Sequence, residues 1–441
     1  MKAETDLIYG VEAKPPFKDA FFAALQHLLA IFVAIITPPL IIAGALQLSV
    51  EDTSYLVSMA LFISGISTFI QCRRVGPVGA KLLCIQGTSF SFIGPIITTG
   101  LAGGLPLIFG VCIAAAPVEM FVSYTFKYLR KVITPLVSGI VVMLIGLSLI
   151  KVGIVACGGG FDSMEAGTFG SWKNITISAV VLLSVLFFNR SKNKYLRMSS
   201  IVLGIVLGYI LAFAFDMVHM ESLNLDLLGG LTVPKPFKYG LDFNFSAFIG
   251  IGLVYLITAI EATGDVTANS MISGLPIEGE EYTKRVSGGV LADGFNSMLA
   301  GVFNSFPNSI FAQNNGIIQL TGVASRYVGY YIAVMLVLLG MFPIVGAVFS
   351  LMPEPVLGGA TLLMFGTVAA AGIRIVASQK IGRKETLVLA VSLSLGLGVE
   401  LMPDVLQNAP EAIKGIFSSG ITTGGLTAII ANVVIRVKDE E

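Results

Sequence analysis

A chain of 441 residues that is 55% hydrophobic and only 12% charged, with a mean hydropathy of +0.87, has about half the charge of a soluble domain. Its 27 basic and 27 acidic residues cancel, which removes the basic field that nucleic acid requires. What remains is an integral membrane protein of the all-α class. Its four cysteines, Cys72, Cys84, Cys112 and Cys157, show no CxxC or metal-ligand spacing. They read as reduced packing residues, and no metal or other cofactor is expected.

Residues 1–19 are charged and contain no hydrophobic run with a small-residue cleavage site, so they read as a cytoplasmic N-terminal segment. Apolar runs of about 17–25 residues mark spanning helices. Seven lie near Ala20–Thr37, Thr53–Gln71, Leu82–Thr99, Leu105–Phe126, Ile133–Ile150, Ile175–Phe188 and Met198–Phe215. Seven more lie near Phe245–Glu261, Gly288–Phe303, Gly316–Gly322, Gly329–Leu351, Val356–Ala371, Thr386–Leu401 and Gly415–Ile435. The third opens on the polar IQGTSFSF, and the tenth is a short piece behind an Asn/Gln cluster. Both are expected to be broken helices or short strands, and breaks at corresponding places of two halves point to a transporter's binding site. The spans form one transmembrane unit over 20–435, followed by a cytoplasmic tail over 436–441.

Charge bias orients these segments. With the N-terminus inside, 22 of the 27 Lys and Arg fall in cytoplasmic segments, and only Lys151, Lys173, Lys235, Lys238 and Lys414 fall outside. Both termini are then cytoplasmic, in a multi-pass protein of the cell membrane. TPLVSGIVVMLIG (Thr134–Gly146) and EPVLGGATLLMFG (Glu354–Gly366) align Pro135, Gly139 and Gly146 with Pro355, Gly359 and Gly366. The first opens the fifth segment, running outward, and the second opens the twelfth, running inward. An odd number of spans per half forces inversion, so a seven-plus-seven inverted repeat is expected.

Within this apolar background, Phe303–Arg326 holds three Ser, four Asn, two Gln, a Pro and two Gly. Carboxamides at membrane depth are costly unless something satisfies them. The eighth segment carries Glu261 and Asp265, one helical turn apart, and the ninth carries Asp293 among small residues. Lacking Lys or Arg at that depth, such carboxylates can exchange a proton near neutral pH and are functional candidates. Asp265 is equally well read as a helix-end residue facing cytoplasmic water. Gln26 and His27 in the first segment are read as core hydrogen-bonding groups. Thr88 and Ser89 in the third segment are either helix-packing hydroxyls or walls of a pocket.

The Gln313 carboxamide offers an acceptor and two donors in one plane, suited to a flat heterocycle with adjacent C=O and N–H groups. Glu261 can accept from ring N–H groups on another edge, and Phe90, Phe92, Phe306 and Phe311 can stack on its face. A flat, hydrogen-bond-rich, neutral or weakly acidic substrate fits.

At these residues the chain resembles the nucleobase–ascorbate transporter family, in particular its microbial xanthine and uric acid permeases. The signature of Gln or Glu, Asn, any residue, Gly, four residues and Thr stands here as Gln313-Asn314-Asn315-Gly316, IIQL and Thr321. The resemblance extends over QH in the first segment, GTSFSF, ITPLVSGIVVMLIGLSLIKVG and KGIFSSGITTGGLTAI. It implies proton symport of a purine by an elevator movement of a core (20–131 and 245–351) against a gate (132–244 and 352–435), in a homodimer. By the same resemblance Glu261 binds the purine, Gln313 clamps its other edge, and Asn314 holds the site's shape. Asp293 is the indispensable protonatable carboxylate, and Asp265 supports it. Ser89, Thr88 and Phe90 complete the pocket, and His27, Gln26, Asn315, Gly316 and Thr321 brace it. Gln at 313 is similar to purine-selective rather than uracil-transporting members. Ser or Thr at the GTS position is similar to uric acid or dual-specificity members, with xanthine equally open.

Two other readings compete. Another cargo on this architecture, such as uracil or an inorganic anion, is one, although carboxylates at the polar centre disfavour anions. A membrane-embedded enzyme is the other, but Ala262 stands where an aspartyl protease motif needs Gly, and no HExxH occurs.

Overall fold

The computed structural model describes residues 7–129, 134–193, 196, 200–218, 230–342, 344–345, 347, 351–377, 379–410, 413, 417 and 419–435. The expected tail, 436–441, lies outside the described residues. The protein is mostly helical, and seven of its described helices are long and apolar enough to cross a bilayer.

Helix α1 (Phe17–Ala45) and helix α2 (Val50–Arg73) come first. Helix α1 continues through Pro38 and Pro39, beyond the Thr37 end expected from sequence. The apolar run IIAGA beyond the prolines carries it on, and the Thr37 hydroxyl bonds the Val33 carbonyl at 2.7 Å. The third segment is not a helix throughout. Strand β1 (Gln86–Thr88) and a 3₁₀ turn at Phe90–Phe92 precede helix α3 (Ile93–Leu129). Inside α3, Gly104 takes φ 68°, a conformation that glycine adopts without strain. That break marks the boundary expected between the third and fourth segments.

Next come α4 (Pro135–Gly158), the short α5 (Gly160–Glu165), α6 (Trp172–Asn189) and α7 (Ser200–Ala214). Helix α8 (Phe245–Ile272) starts at Asn244, whose side chain accepts from Ala247 N at 3.1 Å and so satisfies one free N–H of the first turn. Helix α9 (Gly279–Val302) leads to strand β2 (Asn308–Ile310) and helix α10 (Gln313–Thr321). Helices α11 (Arg326–Met341), α12 (Glu354–Ala377), α13 (Arg383–Leu401) and α14 (Gly420–Val434) complete the chain.

The two strands pair antiparallel, Gln86 with Ile310, Gly87 with Ser309 and Thr88 with Asn308, and all six residues are buried. Strand pairing satisfies the backbone where the helices are interrupted, a requirement at membrane depth. Helices α1, α2, α3, α8, α9 and α11 pack among themselves, while α4, α6, α7, α12, α13 and α14 form a second set. Within the second, α4 and α12 run antiparallel at very close range. Gly139 faces Val376, Gly372 faces Met143, and Gly146 faces Ala369 so closely that a Cβ would collide with the Ala369 backbone.

The N-terminal segment is bound to the first set. Ile8 N and Tyr9 N donate to Gly322 O at 2.8 and 3.1 Å, and Ala324 N donates to Tyr9 O at 2.8 Å. Arg326 donates to Glu12 from Nε at 3.1 Å and from Nη2 at 2.9 Å. These hydrogen bonds hold the Glu12 carboxyl below the usual carboxylate range.

Candidate functional site

The site is built where β1 and β2 pair and where α8, α9 and α10 come near them. Gln86, on β1, donates from its carboxamide to Asp293 Oδ1 on α9, and its Oε1 accepts from Asn296 Nδ2 at 2.6 Å. Asp293 is fully buried, and its other oxygen has no partner among the described residues. The strand position of Gln86 makes this pairing possible, since a strand presents alternate residues to opposite faces.

Glu261, on α8, is half-buried and accepts from Ser91 Oγ at 3.1 Å. Asp265 lies one turn further along α8, seven residues inside its end, and one of its carboxylate oxygens is buried without a partner. The alternative of a helix-end residue in water does not fit this place.

Helix α10 begins at Gln313, beside α8. Asn269 donates to Asn315 Oδ1 at 3.0 Å and to Leu83 O at 2.9 Å, and Asn315 donates to the Asp265 carbonyl at 3.4 Å. Asn314 donates to Leu83 O. Its amide nitrogen is thus engaged by the protein backbone. Gln313 is half-exposed, and no hydrogen bond holds its carboxamide among the described residues. Thr321 closes the last turn through Ile317 O at 2.8 Å, and Gly322 ends it with φ 69°. Gly316 is exposed, with open space where a Cβ would stand.

The remaining candidates divide by burial. Thr88 and Ser89 are buried, and Ser89 N bonds Pro307 O at 2.9 Å. His27 is fully buried, and its ring lies beside the Asn314 side chain. Gln26 is half-buried. Of the four phenylalanines, Phe92 packs on Tyr255 at 4.7 Å, Phe306 packs on Phe109 at 5.9 Å, and Phe311 is buried. Phe90 alone keeps a partly open face, and it meets Phe365 of α12 edge to face at 5.5 Å. The polar centre therefore borders the second helix set.

Sequence reasoning missed Glu119, a fully buried carboxyl on α3. Its signal was present: a lone charge in the apolar run AAAPVEMFVSY is a functional candidate by the same rule that marked Asp293. The partnership of Gln86 with Asp293 depends on strand register and has no local signal. A cavity of about 450 Å³, lined in part by Gln47, Thr53, Asn174 and Glu354, lies where α1, α4, α6 and α12 end or begin. It includes none of the site residues.

Long apolar helices, paired short strands at their interruption and buried carboxylates facing carboxamides define a membrane transport protein rather than an enzyme. The comparisons agree. Residues 18–405 match Xan_ur_permease, described as a permease family. Xanthine permease XanP of Escherichia coli (strain K12) is 49% identical, over 98% of this chain and 95% of that one. Xanthine permease XanQ of the same strain is 48% identical over 98% and 94%, and uric acid permease PucJ of Bacillus subtilis (strain 168) is 33% identical over 97% and 95%. The chain belongs to the nucleobase–ascorbate transporter family, among its xanthine/uric acid permeases. Among solved structures, the transmembrane domain of a cyanobacterium bicarbonate transporter, BicA, matches with a TM-score of 0.59 at 14% identity, covering 95% of this chain and 99% of that one. SLC26A9 matches with a TM-score of 0.61 at 11% identity, covering 95% and 66%. At such identities these two establish the fold alone.

Proposed function

We propose that this chain takes up xanthine and/or uric acid across the cell membrane together with a proton, by an elevator movement. The observation that carries the reading is a pair of incompletely used polar groups on neighbouring helices. Glu261 has a single serine donor, and Gln313 has no partner among the described residues. A flat ring lying between them gains a carboxylate acceptor for its N–H groups and a carboxamide for an adjacent C=O and N–H pair. Phe90 supplies a face for stacking. The xanthine and uric acid permeases among the relatives support an oxidised purine over uracil. The carboxylates of the centre disfavour a small inorganic anion, whatever the cargo of the distant fold neighbours.

Buried Asp293, with one oxygen unpartnered, is the group to carry the proton, with Asp265 and Glu261 as its electrostatic neighbours. The two helix sets support a core (20–131 and 245–351) that moves and a gate (132–244 and 352–435) that stays. The antiparallel packing of α4 on α12, with matched Pro and Gly positions, supports a seven-plus-seven inverted repeat of fourteen segments. An anchored gate favours a homodimer, and the basic-residue bias places both termini in the cytoplasm.

The test is saturable uptake of labelled xanthine in cells without purine uptake of their own. Excess unlabelled uric acid or xanthine is expected to displace the label, and uracil and bicarbonate are not. Absence of saturable uptake of both labelled xanthine and labelled uric acid sinks the purine assignment.

A further inference from the structure

Glu119 is fully buried on α3, and neither carboxylate oxygen has a hydrogen-bond partner among the described residues. An ionised carboxylate can accept about four hydrogen bonds and is strongly destabilised when buried with none. Two neighbouring helices close around it. Gly294, next to Asp293, brings α9 so near that a Cβ there would stand 3.0 Å from Met120 N and 3.2 Å from Ala116 O. On the α8 side, Tyr255 Oη donates to Cys112 O at 3.1 Å. Thr258 stands beside Glu119, with its own hydroxyl directed to Tyr255 O at 3.2 Å.

The titratable groups facing Glu119 are Tyr255 and Glu261 from α8, Asp293 from α9, and Cys112 two turns back on α3. The charges of Glu119, Glu261 and Asp265 all act on Asp293. Among the described residues, no Lys or Arg forms a salt bridge with any of these carboxyls. One turn beyond Glu119, Ser123 Oγ donates to Ser287 O at 2.8 Å, and Ser287 Oγ donates to Ser123 O at 3.0 Å. By the basic-residue bias this hydroxyl pair lies on the cytoplasmic side of Glu119.

We propose that Glu119 relays the proton carried by Asp293 to the cytoplasm. The inference rests on the proposed proton coupling. The neutral Glu119 acid releases its proton past the Ser123–Ser287 pair to cytoplasmic water. The carboxylate, buried with only the Thr258 hydroxyl beside it, then takes the proton of Asp293. One O–H bond breaks at Asp293 and one forms at Glu119, so one proton leaves. Asp293 remains as a carboxylate, held by the Gln86 amide.

Purified protein in lipid vesicles with labelled xanthine tests this. Wild-type accumulation under an inside-alkaline gradient must first collapse with a protonophore, and persistence there sinks proton coupling itself, independently of Glu119. Glu119→Gln is expected to keep xanthine binding and xanthine–xanthine exchange within about twofold. Gradient-driven accumulation and net efflux should fall by about tenfold or more. A loaded carrier can return without losing its proton, whereas an empty one cannot. Glu119→Asp should recover part of the accumulation. Wild-type accumulation in Glu119→Gln overturns the proposal, as does loss of binding and exchange together with accumulation, which makes Glu119 a packing residue.

Discussion

Helices α4 and α12 meet through Gly146, Gly358 and Gly372, each pressed against the partner's backbone, with apolar side chains filling the remainder. Helices α3, α8 and α9 meet at similar closeness, at Gly294, yet place Glu119, Glu261, Asp265 and Asp293 among themselves. The first seam gains dispersion contacts, and among the described residues α4 and α12 bury no charged side chain. The second holds groups that lipid cannot solvate and that the protein satisfies only in part. Such incomplete satisfaction is destabilising, and under the proposed function it is where substrate and proton would supply the missing partners. The two seams should therefore respond oppositely to mutation, one in stability and the other in transport.

The largest effect is expected in the polar seam. Glu261→Gln removes the anionic acceptor, and hydrogen bonds to charged groups are worth about 1.5–3 kcal/mol. Xanthine affinity measured by equilibrium binding should drop by about ten- to a hundredfold, with little change in melting temperature. Unchanged affinity removes Glu261 from the site. In the apolar seam, Gly146→Leu should cost about 1–3 kcal/mol through overpacking, read as a lower melting temperature in detergent. Gly366→Ala, where a Cβ meets open space, should be near silent. Equal effects of the two would mean that the seam is not close-packed.

A finer division falls between adjacent residues. Gln313→Ala should lower xanthine affinity by about tenfold through one lost hydrogen-bonded edge while leaving the melting temperature unchanged. Asn314→Ala should do the reverse, because its amide holds Leu83 O. Swapped phenotypes would reverse the assignment. The smallest effect belongs to Glu12, which is largely exposed. Its carboxyl is held below the usual range by Arg326, so its contribution is complete above the unfolded value of about 4.5 and is lost as pH falls through the lower folded value. Exposed ion pairs are worth about 0.2–1 kcal/mol. Glu12→Gln should therefore narrow the stability difference between pH 7 and pH 3 by that amount, as thermal melts at the two pH values would register.

Much of the site could be read from residue type alone. Glu261, Asp293 and the carboxamides from Gln313 to Asn315 were conspicuous because charge and amides are rare at membrane depth. The interruption at IQGTSFSF was legible for the same reason, though not its resolution into a strand paired with Asn308–Ile310. That pairing depends on residues more than two hundred positions apart, as does the contact of Gln86 with Asp293. Phe92, Phe306 and Phe311 looked like stacking surfaces, but tertiary packing buries them and leaves only Phe90 partly open. The N-terminal segment read as a cytoplasmic segment by charge. Its backbone pairing with Gly322–Arg326 involves main-chain groups, which leave no trace in side-chain pattern. Glu119 was legible but hidden by the otherwise apolar run around it.

Accumulation of labelled xanthine in vesicles under an inside-alkaline gradient, comparing wild type with Asp293→Asn, tests the central claim most directly. The expected result is concentrative uptake by the wild type that a protonophore abolishes, and no accumulation by the variant. Protonophore-sensitive accumulation in Asp293→Asn equal to wild type would contradict the assignment of the proton to this buried carboxyl.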